Sequence, residues 1–295
     1  MPSGGLLLQG LALGVLTGGL YALLASGLTL YFGVMRVVQI AHPAFLFLAA
    51  YLTYTGFTFL GIDPLLSMVV TVPLFFVLGY AIQRFLLARL REDNMQMMSV
   101  LLTFAMAVFI EGMLGLVFTG SYRSVRVGYA TASFNLFGVR LPYDRLIGFA
   151  VATATLVALF VVLRRTRYGQ ALRATMQHRE AARLLGIDTE RVTAVGFGIG
   201  LATAAVGGAV LAIITTFFPA AHYAWIARLM AIIVVGGLGS VSGAAVAAVL
   251  LGVVEGLVLI SLDATWAAMV FYVFLFGTLV FRPQGFFGGR LAERF

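Results

Sequence analysis

An all-α, polytopic transmembrane helical bundle is the fold class this sequence predicts, and three observations predict it. Hydrophobic residues make up 62% of the chain and charged residues 10%, with a mean hydropathy of +1.05, whereas about a quarter of an ordinary soluble domain is charged. Several apolar runs exceed the roughly 20 residues that a helix needs to cross a bilayer. The arginines gather in short segments between those runs. Because a backbone in lipid has to satisfy its own hydrogen bonds, the runs are read as about eight to ten membrane segments, broken or re-entrant helices included. They form one transmembrane domain over residues 1–295.

The first run, Leu6 to about Phe32, carries Thr17, Tyr21, Ser26, Thr29 and several glycines, small and hydroxyl residues that let helices approach closely. The N-terminal MPSGGLLLQG has no basic residue ahead of its apolar stretch and is read as the start of a retained helix rather than a cleaved signal. A break with Arg36, Gln39, His42 and Pro43 separates it from a second run ending near Leu60, and Gly61–Pro64 makes a turn. The third run, Leu65–Leu87, contains Pro73, which predicts a kink.

RFLLARLRED, with Arg84, Arg89 and Arg91, is read as an inner loop. Met95 to about Gly120 returns through the membrane with Glu111, and the polar segment Ser121–Arg145 is placed outside despite its four arginines. Leu146–Leu163, Val192–Thr216, Leu229–Ile260 and Ala264–Phe281 complete the apolar runs.

Parity constrains the last of these. If the tail with Arg282, Arg290 and Arg294 lies on the same side as Arg191, an even number of crossings separates them, so Leu229–Ile260 has to reverse direction. GGLGSVSG (Gly236–Gly243) supplies the place, since glycine costs about 1 kcal/mol relative to alanine inside a helix. Broken helices within a membrane are tolerated where they are buried in protein or line a watery cavity. Paired interruptions in two halves of a chain point to a transport site, so Gln39, His42, Pro43, Gly236, Gly237, Gly239, Ser240 and Ser242 are the candidate solute-pathway residues.

Several functions are excluded by composition. There is no cysteine, hence no disulfide, thiol nucleophile or cysteine-bound zinc. All nineteen basic residues are arginine, and without lysine the chain has neither a P-loop nor a Schiff-base amine. If ATP is used, another chain binds it. The +8 net charge reflects arginines in interhelical loops rather than a nucleic-acid surface. No HExxH, GxSxG or paired catalytic acids appear, and the chain is read as non-catalytic, with no metal or cofactor of its own.

Arg164–Arg191, RRTRYGQALRATMQHREAARLLGIDTER, holds seven of the arginines. Leu172, Met176, Ala181, Leu184, Leu185 and Ile187 recur in it at roughly helical spacing. It is either a loop whose arginines only orient the bundle or an amphipathic helix that needs a partner.

Four stretches, Gly19–His42, Tyr168–Ile187, Gly236–Ala244 and Phe281–Gly288, resemble the permease subunits of branched-chain amino-acid type ABC importers. The resemblance implies a permease in the bacterial inner membrane for branched-chain or related amino acids and small organic solutes. It also implies two ATP-binding subunits, a second permease, identical or distinct, and an extracytoplasmic solute-binding protein. On that reading 164–191 is the cytoplasmic coupling segment, with Arg173, Arg179, Glu180, Ala181, Ala182, Arg183 and Gly186 contacting the ATPases. The chain departs from the family pattern where Asn-Phe-Ala-His-Gly-Glu is common, reading Gln39, Ile40, Ala41, His42, Pro43 and Ala44, and where His178 replaces an aspartate.

The alternative function is an autonomous ion-coupled transporter or facilitator, with Glu111 and Glu255 as coupling acids. Both also fit interhelical hydrogen bonds. Arg228 and His222, near the outer end of their run, are expected to snorkel to headgroups or meet an acidic partner.

Overall fold

A computed structural model describes residues 4–35, 39–90, 95–136 and 138–288. Eleven helices run α1 (Gly4–Met35), α2 (His42–Leu60), α3 (Pro64–Phe85), α4 (Met95–Phe118), α5 (Tyr143–Arg165), α6 (Arg167–Gln177), α7 (Arg179–Leu184), α8 (Thr189–Ile214), α9 (His222–Gly236), α10 (Val241–Ser261) and α11 (Ala264–Phe281) among those residues. A two-stranded antiparallel hairpin, β1 (Ser133–Leu136) and β2 (Val139–Pro142), precedes α5, pairing Ser133 with Pro142 and Leu136 with Val139. Among the described residues, nine helices are long and apolar enough to cross a membrane, all but α6 and α7. The chain is a polytopic membrane protein.

Hydrogen bonds fix which ends lie together. Gln9 near the start of α1 donates to the Arg140 carbonyl at 2.6 Å and accepts from the Arg140 amide at 2.7 Å, so α1 begins beside the hairpin. At the other end, Arg84 of α3 meets Glu190 of α8 at 2.6 Å on the surface, a pair worth about 0–1 kcal/mol. The bundle thus has a hairpin end and an arginine-rich end, and α6 and α7 lie at the latter. Pro73, expected to kink the third run, lies inside α3, which stays helical from Pro64 to Phe85. Arg36, Arg91, Arg290 and Arg294 lie outside the described residues.

Two helices make the centre. α1 packs along α10, α8 and α5, and α8 along α3 and α2. Since lipid gives little hydrophobic drive to helix association, close approach of small residues carries the packing. Gly10, Gly14 and Gly18 of α1 face Gly252 and Gly256 of α10: a Cβ on Gly14 would stand 2.7 Å from both the Gly252 carbonyl oxygen and the Val253 Cα. Any side chain there separates the helices.

The reversal demanded by parity is present. α9 ends at Gly236 and α10 starts at Val241, giving four crossings, α8 to α11, between Arg191 and the C-terminal segment. Gly237 (φ +95°) and Gly239 (φ +84°) adopt backbone that glycine tolerates and other residues resist. Ser240 caps α10, its hydroxyl accepting from the Gly243 amide at 3.1 Å.

Candidate functional site

The residues expected to form one solute pathway fall into two places. His42 starts α2, but not at the end of α1. Its Nε2 donates to the Leu24 carbonyl at 3.0 Å, which is eleven residues, or about 16 Å, short of the end of α1. Pro43 occupies the first turn of α2, where its missing amide costs nothing. His42 and Gln39 are completely buried. Both polar atoms of the Gln39 amide, His42 Nδ1 and the Tyr31 hydroxyl lack partners among the described residues. Tyr31 stands edge-on to His42 with ring centroids 5.5 Å apart. Unpaired buried polar groups cost about 1–3 kcal/mol each, so this is a polar knot inside the bundle.

The glycine turn lies elsewhere, at the arginine-rich end. Gly236, Gly237 and Ser240 are buried, Gly239 half-buried and Ser242 exposed. The Phe286 amide donates to the Val235 carbonyl at 2.9 Å, which staples the turn to the segment after α11. A Cβ on Gly239 would be 3.2 Å from the Gly33 Cα, and one on Gly33 would be 2.7 Å from the Met176 methyl of α6. The turn therefore adjoins the end of α1 and, through it, the amphipathic segment. The two interruptions do not share a depth.

That segment is two helices rather than one. His178 ends α6 and begins α7, its Nδ1 accepting from the Ala181 amide at 3.2 Å, which is the N-cap role an aspartate serves. Its neighbour α7 ends in a left-handed Gly186 (φ +81°), with the Ile187 amide bonded to the Ala182 carbonyl and the Gly186 amide to the Arg183 carbonyl, both at 3.0 Å. The break divides the apolar positions that the sequence suggests share a face. Leu172 and Ala182 are buried against the bundle, whereas Leu184 is 89% and Leu185 80% exposed. Ala181, Glu180 and Arg183 are exposed beside them and Arg179 half-buried.

Several bonds hold this platform. Arg173 donates to the Leu163 carbonyl at the end of α5, Arg183 Nε to the Thr189 hydroxyl at 3.0 Å, and the Tyr168 hydroxyl to the Val192 carbonyl at 2.7 Å. Burial pushes the Tyr168 phenol above its ordinary range, which keeps it a donor. Thr166 caps α6, accepting from the Gly169 amide at 3.0 Å.

Arg228 does not snorkel. It turns inward to Glu255 at 3.5 Å and to the Tyr21 hydroxyl at 3.2 Å, and its guanidinium lies 5.0–5.5 Å from the ring centres of Phe271, Trp225 and Tyr21. Tyr21 in turn donates to Glu255 at 2.7 Å. Glu111, the other acid, accepts from Tyr223 at 2.7 Å. Sequence separation hid both partnerships. His222, buried at the start of α9, bonds through Nδ1 to the Pro219 carbonyl at 3.0 Å.

Taken together, a polytopic bundle with a reversed helix, a polar interruption within its core and an arginine-rich helical pair at one end defines a membrane permease. The profile of the family described as Branched-chain amino acid transport system / permease component matches residues 10–281, and the chain belongs to this family. It is 27% identical over 300 residues to the high-affinity branched-chain amino acid transport system permease protein BraD of Pseudomonas aeruginosa, covering 97% of each chain. Identity to the corresponding permease protein LivH of Escherichia coli is 26% over 307 residues, again 97% of each. The probable branched-chain amino acid transport permease protein LivH of Methanocaldococcus jannaschii is 26% identical over 291 residues, 93% of this chain and 90% of that one. No solved structure matches.

Proposed function

We propose that the chain is one permease subunit of an ATP-driven importer for branched-chain amino acids or related small organic solutes. Hydrolysis takes place on two separate ATP-binding subunits, a second permease completes the path, and an extracytoplasmic binding protein delivers the solute. The arginine-rich end faces the cytoplasm of a bacterial inner membrane, in keeping with the positive-inside bias.

The observation that carries this reading is the exposed Leu184–Leu185 pair on a short, firmly capped helix set among arginines. Two neighbouring leucines this exposed at the membrane-flanking end of a bundle suit burial against another protein. Closure of the ATPases would press α7 and α6 together. Movement passes to α8 through the Arg183–Thr189 contact and to α1 and the glycine turn through Met176, Gly33 and Gly239. The polar knot at Gln39, His42 and Tyr31 then lies where relative motion of α1, α2 and α8 would expose polar groups to solute. The lysine-free composition leaves nucleotide binding to the partner chains.

Replacing Leu184 and Leu185 together by alanine tests it. In proteoliposomes containing the ATPases and binding protein, uptake should fall at least about tenfold, as loss of an interface anchor predicts, while the thermal midpoint of the permease stays unchanged. Full uptake by the double variant, or ion-driven uptake by the chain alone, would overturn the reading.

A further inference from the structure

Glu111 is the membrane-embedded acid that the bundle leaves open. It lies seven residues, about 10 Å, below the hairpin end of α4, on a helix whose Phe109, Leu116 and Val117 are strongly exposed. A carboxylate within an apolar helix of this length is costly against lipid and needs protein or water opposite it. Around it is a recess of about 380 Å³, lined by Val108, Gly112 and Gly115 of α4 and by Phe218, Pro219 and Ala220 before α9. The recess is a hollow open on one side rather than an enclosed cavity.

The glycines here do not serve packing within the chain. A Cβ on Gly112 or Gly115 would meet nothing within 4 Å, in contrast to Gly14. They keep one wall shallow while Phe218 and Pro219 make an apolar wall opposite. Only one carboxylate oxygen is engaged, by the Tyr223 hydroxyl at 2.7 Å, and among the described residues nothing donates to the other.

We propose that this recess is a binding site for the ammonium group of an aliphatic amino-acid-like solute. Glu111 accepts the ammonium through its free oxygen, Tyr223 fixes the carboxylate's orientation, and Phe218 with Pro219 receives the hydrocarbon part. The assignment rests on the importer reading and extends it by giving the solute a first station near the hairpin end of the path.

Because the chain has no cysteine, Gly112→Cys places a single thiol in the open side of the recess. In native membranes holding the full chain and its partners, the rate of maleimide labelling is measured with L-leucine, leucinamide or 4-methylpentanoate present. L-Leucine and leucinamide, which keep the ammonium, should slow labelling, and 4-methylpentanoate, which lacks it, should not. Adding Glu111→Gln should weaken protection about tenfold, the loss of one charge-assisted hydrogen bond, with Glu111→Asp restoring part of it. Equal protection by the ammonium-free acid overturns the proposal without any appeal to variant folding. So does a thiol that cannot be labelled, which would mean that a partner helix fills the recess, or protection unchanged by Glu111→Gln. Failure here with ATP-driven uptake intact leaves the importer reading standing. Protection without such uptake leaves the site standing and removes the importer.

Discussion

Glu255 and Glu111 receive the same hydrogen bond, a tyrosine hydroxyl at 2.7 Å, yet the bundle treats them oppositely. Around Glu255 the chain closes: Arg228 approaches at 3.5 Å, three aromatic rings surround the guanidinium, and Arg145, which donates to Thr17 at 2.6 Å, adds positive potential. Around Glu111 it opens, onto glycines with space above them. The glycines repeat the contrast, since Gly14 and Gly18 of α1 and Gly252 and Gly256 of α10 press backbone to backbone and those of α4 face outward. An acid or a glycine in a membrane helix acquires its meaning from what the fold brings opposite. The first pair is architecture, and the second is available for a ligand.

The contrast breaks most visibly if its closed half proves dispensable. Arg228→Ala leaves Glu255 with the Tyr21 hydroxyl and the more distant charge of Arg145 and should destabilise the bundle by about 3 kcal/mol, the cost of removing one partner of a buried pair, read as a lower midpoint in detergent unfolding. Next in size, Gly14→Val forces α1 from α10 and should cost about 2 kcal/mol by overpacking in the same measurement. Tyr168→Phe removes one hydrogen bond between α6 and α8 and should cost about 1 kcal/mol, with a larger fractional effect on ATP-coupled uptake than on stability. Smallest, Glu111→Gln and Gly112→Ala should each shift stability by less than about 0.5 kcal/mol, the scale for open positions. A large loss of stability from either would place the open half inside the architecture and erase the distinction.

Much of the fold was legible in the sequence because lipid enforces simple rules. Run length located the long helices, although α9 begins at His222 rather than at Leu229, and parity, with Arg191 and the tail taken to share one side, called for a reversal within Gly236–Gly243. The candidate site was less legible. Nothing local in Arg36–Ala44 tells that His42 meets α1 at Leu24 rather than at its end, since that depends on how the chain returns along the helix. Tyr21 and Glu255 are 234 residues apart, and Glu111 and Tyr223 are 112 apart, so each acid could be noticed but not its partner. Helical periodicity suggested one amphipathic stripe over 164–191. His178 interrupts it by capping α7, which turns Leu184 and Leu185 away from the surface that buries Leu172.

One contact at the arginine-rich end bears on how α6 meets α1. Met176 touches α1 at bare backbone, on Gly33, and Gly33 in turn lies against Gly239. A thioether with three rotatable bonds is compliant, so the pad beneath the first helix yields to small misfits. On the importer reading proposed above, that compliance would let the same membrane body work with driving subunits whose contours differ slightly.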